Sequence, residues 1–162
     1  MSINIEVVDV EKDDELNVVI GQAHFIKTAE DIYEALVTAV KGISFGLAFC
    51  EASGKCLIRV EGNDDYLREV AIANAKKIAA GHIFFLAIKN AYPINVLKAI
   101  RDVPEVCRIF CATANQLQVL VATTAQGRGI LGVVDGSSPL GVETDQDRTW
   151  RYDLLRKLGY KL

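Results

Sequence analysis

A strand passes into a helix within the segment Leu16-Asn-Val-Val-Ile-Gly-Gln-Ala-His-Phe-Ile-Lys-Thr28. The apolar first half, Leu16 to Ile20, predicts a buried strand that ends at a glycine. Thr28, followed by Asp31, forms a variant of the capping box and predicts that a helix begins there. His24 lies in the short loop between the two elements. Because backbone N–H groups and the helix dipole attract anions at a helix N-terminus, this loop is predicted to bind phosphate.

Strand-like and helix-like patterns alternate through the middle of the chain. The predicted strands lie at residues 3–10, 16–20, 43–50, 56–60, 83–88, 106–112 and 117–123, and a glycine-rich stretch with a β-like centre follows at 127–136. The predicted helices lie at residues 28–40, 64–80, 92–101 and 145–158. This alternation favours an α/β fold, and the hairpin-like neighbours make part of the sheet antiparallel. We therefore expect one domain over residues 1–162, with a mixed parallel and antiparallel central sheet flanked by about four helices.

Composition narrows the classes of protein to consider. The formal net charge of −3 over 162 residues offers no basic surface for nucleic acid. No apolar run approaches membrane-spanning length, and the four cysteines contain no Cys-x-x-Cys pair. These features favour a cytoplasmic protein with neither a nucleic-acid nor a membrane partner. Apolar residues make up 51% of the chain, so we expect apolar surface to be buried between subunits of a homo-oligomer. The number of subunits that we expect, three or a multiple of three, does not follow from composition.

Two glycine-containing motifs resemble nucleotide-binding loops but lack the context that those loops require. Gly127-x-Gly129-x-x-Gly132 matches the dinucleotide fingerprint, yet Val133-Val134-Asp135-Gly136 follows where that motif needs a helix. Ser53-Gly54-Lys55 resembles the end of a P-loop. However, Phe49 occupies the position of the first glycine, and Cys56 replaces the Ser or Thr. Neither a Rossmann fold nor a P-loop fold is therefore expected.

The only two histidines differ in their sequence surroundings. His82 enters an apolar strand, so a structural role is the simpler interpretation for it. His24 is accompanied by Lys27 and Thr28 at a predicted helix start. A neutral imidazole is a good nucleophile near pH 7, and charge-assisted hydrogen bonds at this place would stabilise a phosphorylated ring. The residues alone leave both a structural and a functional role open for His24.

Several stretches beyond residue 15 carry a resemblance to a known family. They are Val19-Ile-Gly-Gln-Ala-His-Phe-Ile-Lys-Thr-Ala-Glu-Asp-Ile-Tyr-Glu-Ala-Leu36, Phe45-Gly-Leu-Ala-Phe-Cys-Glu-Ala-Ser-Gly-Lys55, Ala79-Ala-Gly-His82, Pro93-Ile-Asn-Val-Leu97, Pro104-Glu-Val-Cys107, Cys111-Ala-Thr-Ala-Asn115 and Gln126-Gly-Arg-Gly-Ile-Leu-Gly-Val-Val-Asp-Gly136. In these stretches the chain resembles the adenosine-specific kinases, a family of small archaeal and bacterial proteins. The resemblance covers nearly the whole sequence after the first strand.

This resemblance implies binding of adenosine or AMP and a phosphorylated histidine, without a standard kinase fold. It implies His24 as the phosphoacceptor, with His82 as the second choice. Carried over by position, the phosphate-binding residues are Lys27, Thr28, Lys55 and Arg59, and the nucleoside-binding residues are Glu51, Ser53, Asn115, Arg128, Gly129 and Asp135. Mg²⁺ is a candidate cofactor with Glu51 or Asp135 as a ligand, although no metal is required by the spacing.

The implied reaction passes a phosphoryl group between a donor, an imidazole nitrogen of His24 and a hydroxyl of adenosine. Such a transfer depends mainly on positioning and on cations such as Lys27, Arg59 or Arg128. Two other functions stay open. A non-catalytic adenosine or AMP sensor would use its histidine only to contact phosphate. A structural component of an oligomer would use the glycine-rich loops only for packing.

Overall fold

The computed structural model describes residues 3–162, which form eight strands and four helices. The strands are β1 (Asn4–Asp9), β2 (Asn17–Ala23), β3 (Ser44–Cys50), β4 (Ile58–Gly62), β5 (Ile83–Lys89), β6 (Val106–Thr113), β7 (Leu117–Thr123) and β8 (Arg128–Asp135). The helices are α1 (Thr28–Ala39), α2 (Asp65–Ile78), α3 (Pro93–Arg101) and α4 (Asp145–Lys157). The four predicted helices are confirmed, with boundary differences no larger than the usual uncertainty of helix ends.

These strands form two antiparallel sheets. A five-stranded sheet has the order β4-β3-β5-β2-β6, and a three-stranded sheet has the order β1-β7-β8. Within residues 3–162, every hydrogen-bonded pair of strands is antiparallel. The α/β class is therefore confirmed, whereas the predicted parallel component of the sheet is wrong.

Strand order explains why the helical crossovers leave no parallel pair in the described chain. Strands β2 and β3 are joined by α1 and run in the same direction, but β5 inserts between them. In the same way β3 separates β4 from β5, and β2 separates β5 from β6. Each strand–helix–strand unit is thus split by a strand from elsewhere in the chain. Local periodicity indicates the crossovers but cannot reveal the inserted neighbour.

Each face of the five-stranded sheet packs against a different layer. Along β5, Phe84 and Leu86 pack with α1 and α3, whereas Phe85 and Ala87 pack with α2 and the three-stranded sheet. All four side chains are fully buried. A strand that is apolar on both faces is stable only when both faces are covered, so β5 occupies the centre of the fold. The ends of the central strands are therefore the places where polar residues can meet solvent.

Helix α1 begins at Thr28 without the predicted capping box. The Thr28 hydroxyl donates to a carbonyl oxygen of the preceding turn, and the Asp31 carboxylate pairs with Lys27. A carboxylate held by lysine is not available to the backbone at the helix start, so this prediction is wrong for α1. The reciprocal box occurs instead in α4, between Thr144 and Asp147.

The four helices differ in how much apolar surface they bury. Helices α1, α2 and α3 each place an apolar stripe in the core, whereas no residue of α4 is buried. Trp150 on α4 is 66% exposed. Among the helices of residues 3–162, none combines the length and the apolar character that crossing a membrane requires.

Candidate functional site at one end of the five-stranded sheet

Both histidines lie at the same end of the five-stranded sheet, on adjacent strands. The backbone N–H of Ala23, the last residue of β2, donates to the carbonyl oxygen of His82 over 2.9 Å. His24 follows Ala23 directly, and its N–H donates to the carbonyl oxygen of Glu105 over 3.0 Å. Two histidines that are far apart in the sequence are thus brought together by the pairing of β2 with β5.

The two imidazoles have different surroundings. His82 is half-buried, and its ring stacks on Phe49 with ring centroids 6.0 Å apart. Its backbone is in the left-handed region, with φ of 61°, at the point where the chain turns from α2 into β5. The His24 side chain is exposed. His82 therefore has a fixed, packed position, and His24 is the imidazole that a ligand can reach from solvent.

Glu51 and Arg59 form an ion pair beside this end of the sheet. An Nη2 atom of Arg59 lies 2.8 Å from Oε1 of Glu51, and the Leu57 N–H donates to Oε2 over 2.8 Å. The hydrogen bond from Arg59, followed by that from the Leu57 backbone, holds the pKa of Glu51 below its usual range. The Nε atom of Arg59 is buried and has no partner within residues 3–162. Arg59 therefore keeps one unused donor.

Lys27 and Thr28, the predicted phosphate ligands, are both engaged. Lys27 pairs with Asp31 and also with Glu105, whose Oε1 lies 3.0 Å from Nζ. These two partners, Asp31 first, raise the pKa of Lys27. Thr28 is fully buried. A phosphate at this loop would have to draw Lys27 away from one of its carboxylates.

Two cavities flank the Glu51–Arg59 pair. The larger cavity has a volume of about 740 Å³, and its lining includes Glu51, Arg128 and Gly129. Gly81, which precedes His82, also lines it. The smaller cavity, about 460 Å³, is lined on one side by Arg59 and on the other by the start of α1. Small-molecule sites commonly enclose about 300–1,000 Å³, so either volume is sufficient for a nucleoside or a phosphate group.

Arg128 is held in the wall of the larger cavity by three partners. Its Nε donates to the carbonyl oxygen of Ile78 over 2.9 Å, and Nη2 donates to that of Lys77 over 3.1 Å. Its Nη1 lies 2.5 Å from a carboxylate oxygen of Glu6. Cationic side chains stabilise the free carbonyl groups at a helix C-terminus, here that of α2. The neighbouring Gly129 has open space where a Cβ atom would lie, so a ligand can approach the backbone.

Ser53 and Lys55 lie exposed in the turn between β3 and β4. This turn carries Glu51 at its start and Cys56 near its end, and both of these residues line the larger cavity. The structure therefore places Ser53 and Lys55 near the site without a contact that fixes either side chain toward it.

Asn115 and Asp135 lie at the opposite end of the five-stranded sheet from the histidines. An oxygen of Asp135 accepts hydrogen bonds from Thr113 Oγ1 over 2.7 Å and from Asn115 Nδ2 over 3.0 Å. The length of β6, about 25 Å from a rise of about 3.3 Å per residue, separates this cluster from the histidine end. Within one chain, the structure does not bring Asn115 and Asp135 together with the other predicted site residues.

Glu51 and Asp135, the two alternative Mg²⁺ ligands, both have hydrogen-bonding partners within the described chain. Glu51 is paired with Arg59, and Asp135 is bonded to its neighbours at the far end of the sheet. Over the described part of the chain, no three His, Cys, Asp or Glu side chains form a group that could hold a metal ion.

Sequence reasoning missed Glu105, which is 5% exposed and contacts the histidine loop twice. Its carbonyl accepts the His24 N–H, and its carboxylate pairs with Lys27. The other carboxylate oxygen is buried without a partner in residues 3–162. Hydrophobic periodicity does not predict the burial of a single glutamate before an apolar strand. The stretch Pro104–Cys107 is indicated only by the family resemblance.

Comparison with known proteins adds two findings. The model of a family described as adenosine specific kinase matches residues 8–161. A crystal structure of the PH1918 protein from Pyrococcus horikoshii OT3 is 48% identical, covers 99% of both chains and superposes with a TM-score of 0.96. Among curated proteins, no relative matches significantly.

Proposed function

This chain belongs to the adenosine-specific kinase family, and we propose on that premise that it binds adenosine or AMP and transfers a phosphoryl group through His24. The family supports a function related to adenosine. One observation carries the finer proposal: an exposed histidine and a packed histidine lie at the neighbouring ends of two paired strands, and Gly81, which precedes His82, lines a cavity together with Glu51 and Arg128. Exposed polar residues concentrated at one end of an otherwise apolar sheet favour a ligand site there.

In this proposal the nucleoside occupies the larger cavity. The wall of this cavity includes glycine at 129 and alanine at 52 and 122, and these small residues allow a planar base to lie against the backbone. Glu51 lines this cavity, where its carboxylate can accept a hydrogen bond from a ribose hydroxyl. The phosphate or reacting hydroxyl then points toward Arg59 and the histidines.

The chemical step uses the exposed imidazole. A nitrogen of His24 attacks the donor's phosphorus, the bond from phosphorus to the donor oxygen breaks, and a phosphohistidine forms. An adenosine hydroxyl then attacks the same phosphorus, the P–N bond breaks, and the hydroxyl proton passes to the freed imidazole nitrogen. Lys27 and the free Nε–H of Arg59 offset the charge on the phosphoryl oxygens. His82, fixed by Phe49, is the second candidate for the same role.

A sensor without turnover is the second candidate function. It is favoured by the engagement of Lys27, Arg59 and Arg128, which are all ion-paired to carboxylates. A kinase needs cations that are free to stabilise the transferred group. A binding module needs only a preformed cavity.

We also propose that the protein is a cytoplasmic homo-oligomer, trimeric or a multiple of three. The cytoplasmic part is supported by four free cysteines, since disulfides are rare in that compartment. The oligomer is supported by the large exposed apolar side chains of the C-terminal region. In such an assembly, Asn115 and Asp135 remain candidates for contact with a nucleoside held by another copy.

The test is the intact mass of freshly purified protein, before and after incubation with adenosine. Wild type is expected to carry one phosphate that adenosine removes, His24→Ala is expected to carry none, and His82→Ala serves as the matched comparison. If the phosphate is lost in His82→Ala and kept in His24→Ala, the reaction stands and the assignment of His24 is wrong. Unmodified wild-type protein that still binds AMP would establish the sensor.

A further inference from the structure

Two apolar surfaces have no covering layer within the described residues, 3–162. The first is the C-terminal arm, residues 137–162, in which every side chain is exposed except those of Leu154 and Leu155, which are half-buried. Leu140 and Val142 are 105% and 94% exposed. A helix of 13 residues is only marginally stable in water unless an apolar face is buried. The arm thus has apolar side chains that would normally be buried, but within one chain only Leu154 and Leu155 are partly covered.

The second surface is the outer face of the three-stranded sheet. Residues paired directly across neighbouring strands share a face, and this register places a set of apolar residues on the side away from the core. The set, which we call the outer sheet face, comprises Ile5, Val7, Leu120, Ala122 and Val134, and it is bordered on the same side by the hydrogen-bonded pair Asp9 and Gln118. An antiparallel sheet that faces water normally shows polar residues at these alternate positions. Here Ile5 and Val7 are 62% and 55% exposed instead.

We propose that the C-terminal arm of one copy packs on the outer sheet face of a second copy of this chain. The exposed apolar side chains of the arm are Leu140, Val142, Trp150, Tyr152, Leu158, Tyr160 and Leu162. Each of these side chains exposes on the order of 100 Å² of surface, so that together they expose on the order of 700 Å². This area is close to the roughly 800 Å² that each partner buries in a stable interface. The outer sheet face supplies an apolar surface on which they can be buried.

The same contact completes the nucleotide site. Ala122 belongs to the outer sheet face and also lines the larger cavity, together with the adjacent Leu131. The arm leaves its own sheet after Asp135, at the end of β8 that lies opposite Arg128 and the cavity. A partner's arm on this face therefore borders the open side of the cavity. This second part of the inference rests on the proposed function, whereas the packing of the arm does not.

The chain offers a direct probe because Trp150 is its only tryptophan. Wild-type protein is expected to be oligomeric by light scattering, with Trp150 emission that is blue-shifted and moves to the red on dilution. Ile5→Asp on the sheet is expected to give monomers with red-shifted Trp150 emission. The matched control is Ile94→Asp, since Ile94 is 64% exposed on α3 and lies on neither surface. A monomeric wild type, or an oligomer that survives Ile5→Asp, would overturn the proposal.

Mixing two variants separates this arrangement from a general loss of folding. Trp150→Asp has a damaged arm and an intact sheet face, and Ile5→Asp has the reverse. If arms pack on sheet faces of other copies, the mixture regains one intact contact and forms a dimer that neither variant forms alone. A mixture that stays monomeric contradicts the proposal, provided that both variants show the far-ultraviolet circular dichroism of wild type.

AMP titration then tests the shared site. Ile5→Asp is expected to bind AMP at least about tenfold more weakly than Ile94→Asp, because the cavity loses its outer wall. Equal affinities would show that the arm is not part of the site. If wild type binds neither AMP nor adenosine, the proposed function fails, while light scattering and Trp150 emission still decide where the arm packs.

Discussion

The two ends of the five-stranded sheet are built from similar residues but organised differently. At one end, Thr113, Asn115 and Asp135 satisfy one another through hydrogen bonds that join the end of β6 and the turn after it to the end of β8. At the other end, His24 is exposed, and buried polar atoms of Arg59 and Glu105 lack partners in residues 3–162. Buried polar groups are ordinarily paired, so unpaired ones concentrate where a ligand completes the network.

This difference indicates how to distinguish a structural polar cluster from a functional one. The types of residue do not distinguish the two clusters, because both ends of the sheet carry carboxylates together with amides or cations. The clusters differ in whether their polar groups have hydrogen-bonding partners. The Asp135 cluster is hydrogen-bonded within the chain, whereas the histidine end has unused donors and acceptors beside two cavities. The contrast is therefore open to experiment through variants placed at either end.

The largest expected effect is on phosphorylation. His24→Ala is expected to abolish the phosphoprotein, because no other exposed imidazole lies at that position in the described chain. Asn115→Ala at the closed end is expected to leave the phosphorylated fraction of isolated chains unchanged. Intact-mass analysis of both variants gives the answer, and equal losses in the two would remove the distinction between the ends.

At the closed end, the expected effect is on stability. Asp135→Ala leaves the buried Thr113 hydroxyl without its acceptor, and we expect the free energy of unfolding to fall by about 1–3 kcal/mol. Urea unfolding measures this change. The phosphorylated fraction is expected to match wild type, and a stable variant with impaired phosphorylation would place Asp135 in the site.

Arg59→Gln is expected to weaken AMP binding by roughly tenfold, because a charge-assisted hydrogen bond to phosphate is lost. Adenosine, which lacks the phosphate, is expected to lose less. Arg101→Gln on α3 is a suitable control, since Arg101 is exposed and lines neither cavity. Calorimetric titration with both ligands measures the two affinities, and equal losses for AMP and adenosine would contradict a phosphate contact.

The smallest expected effect is on stability in acid. The pKa of Glu51 is lowered in the folded protein, so its contribution is fully present above the ordinary glutamate pKa of about 4.3 and declines as the pH falls through that range. Glu51→Gln is expected to unfold with a shallower pH dependence between about pH 5 and pH 3. Thermal unfolding over this range compares the two proteins. An unchanged slope would mean that the ion pair with Arg59 does not persist in solution.

Much of the fold could be predicted because its signals are local. Helix α2 combines an apolar stripe with Asp64, whose carboxylate accepts the Leu67 N–H. The antiparallel pairing could not be predicted, since it depends on β5 entering between β2 and β3. The absent capping of α1 has a similar origin, because Asp31 is taken by Lys27 rather than by the backbone.

The candidate site was predictable only in part. His24 is marked by its position between a strand and a helix, whereas its proximity to His82 depends on strand pairing. Arg128 is held by Glu6, which is more than a hundred residues away in the sequence, so no local pattern reveals the contact. Asn115 and Asp135 were grouped with the site through the family resemblance, which carries no information about distance within one chain.

The most direct test of the account is an NMR titration of the wild-type protein with AMP. The ring signals of the two histidines report on one end of the sheet, and the side-chain amide signals of Asn115 report on the other. We predict that the His24 and His82 ring signals shift on binding, whereas the Asn115 amide signals shift only if another copy brings Asn115 to the nucleotide. Shifts confined to Asn115, with both imidazoles unaffected, would contradict a nucleotide site at the histidine end.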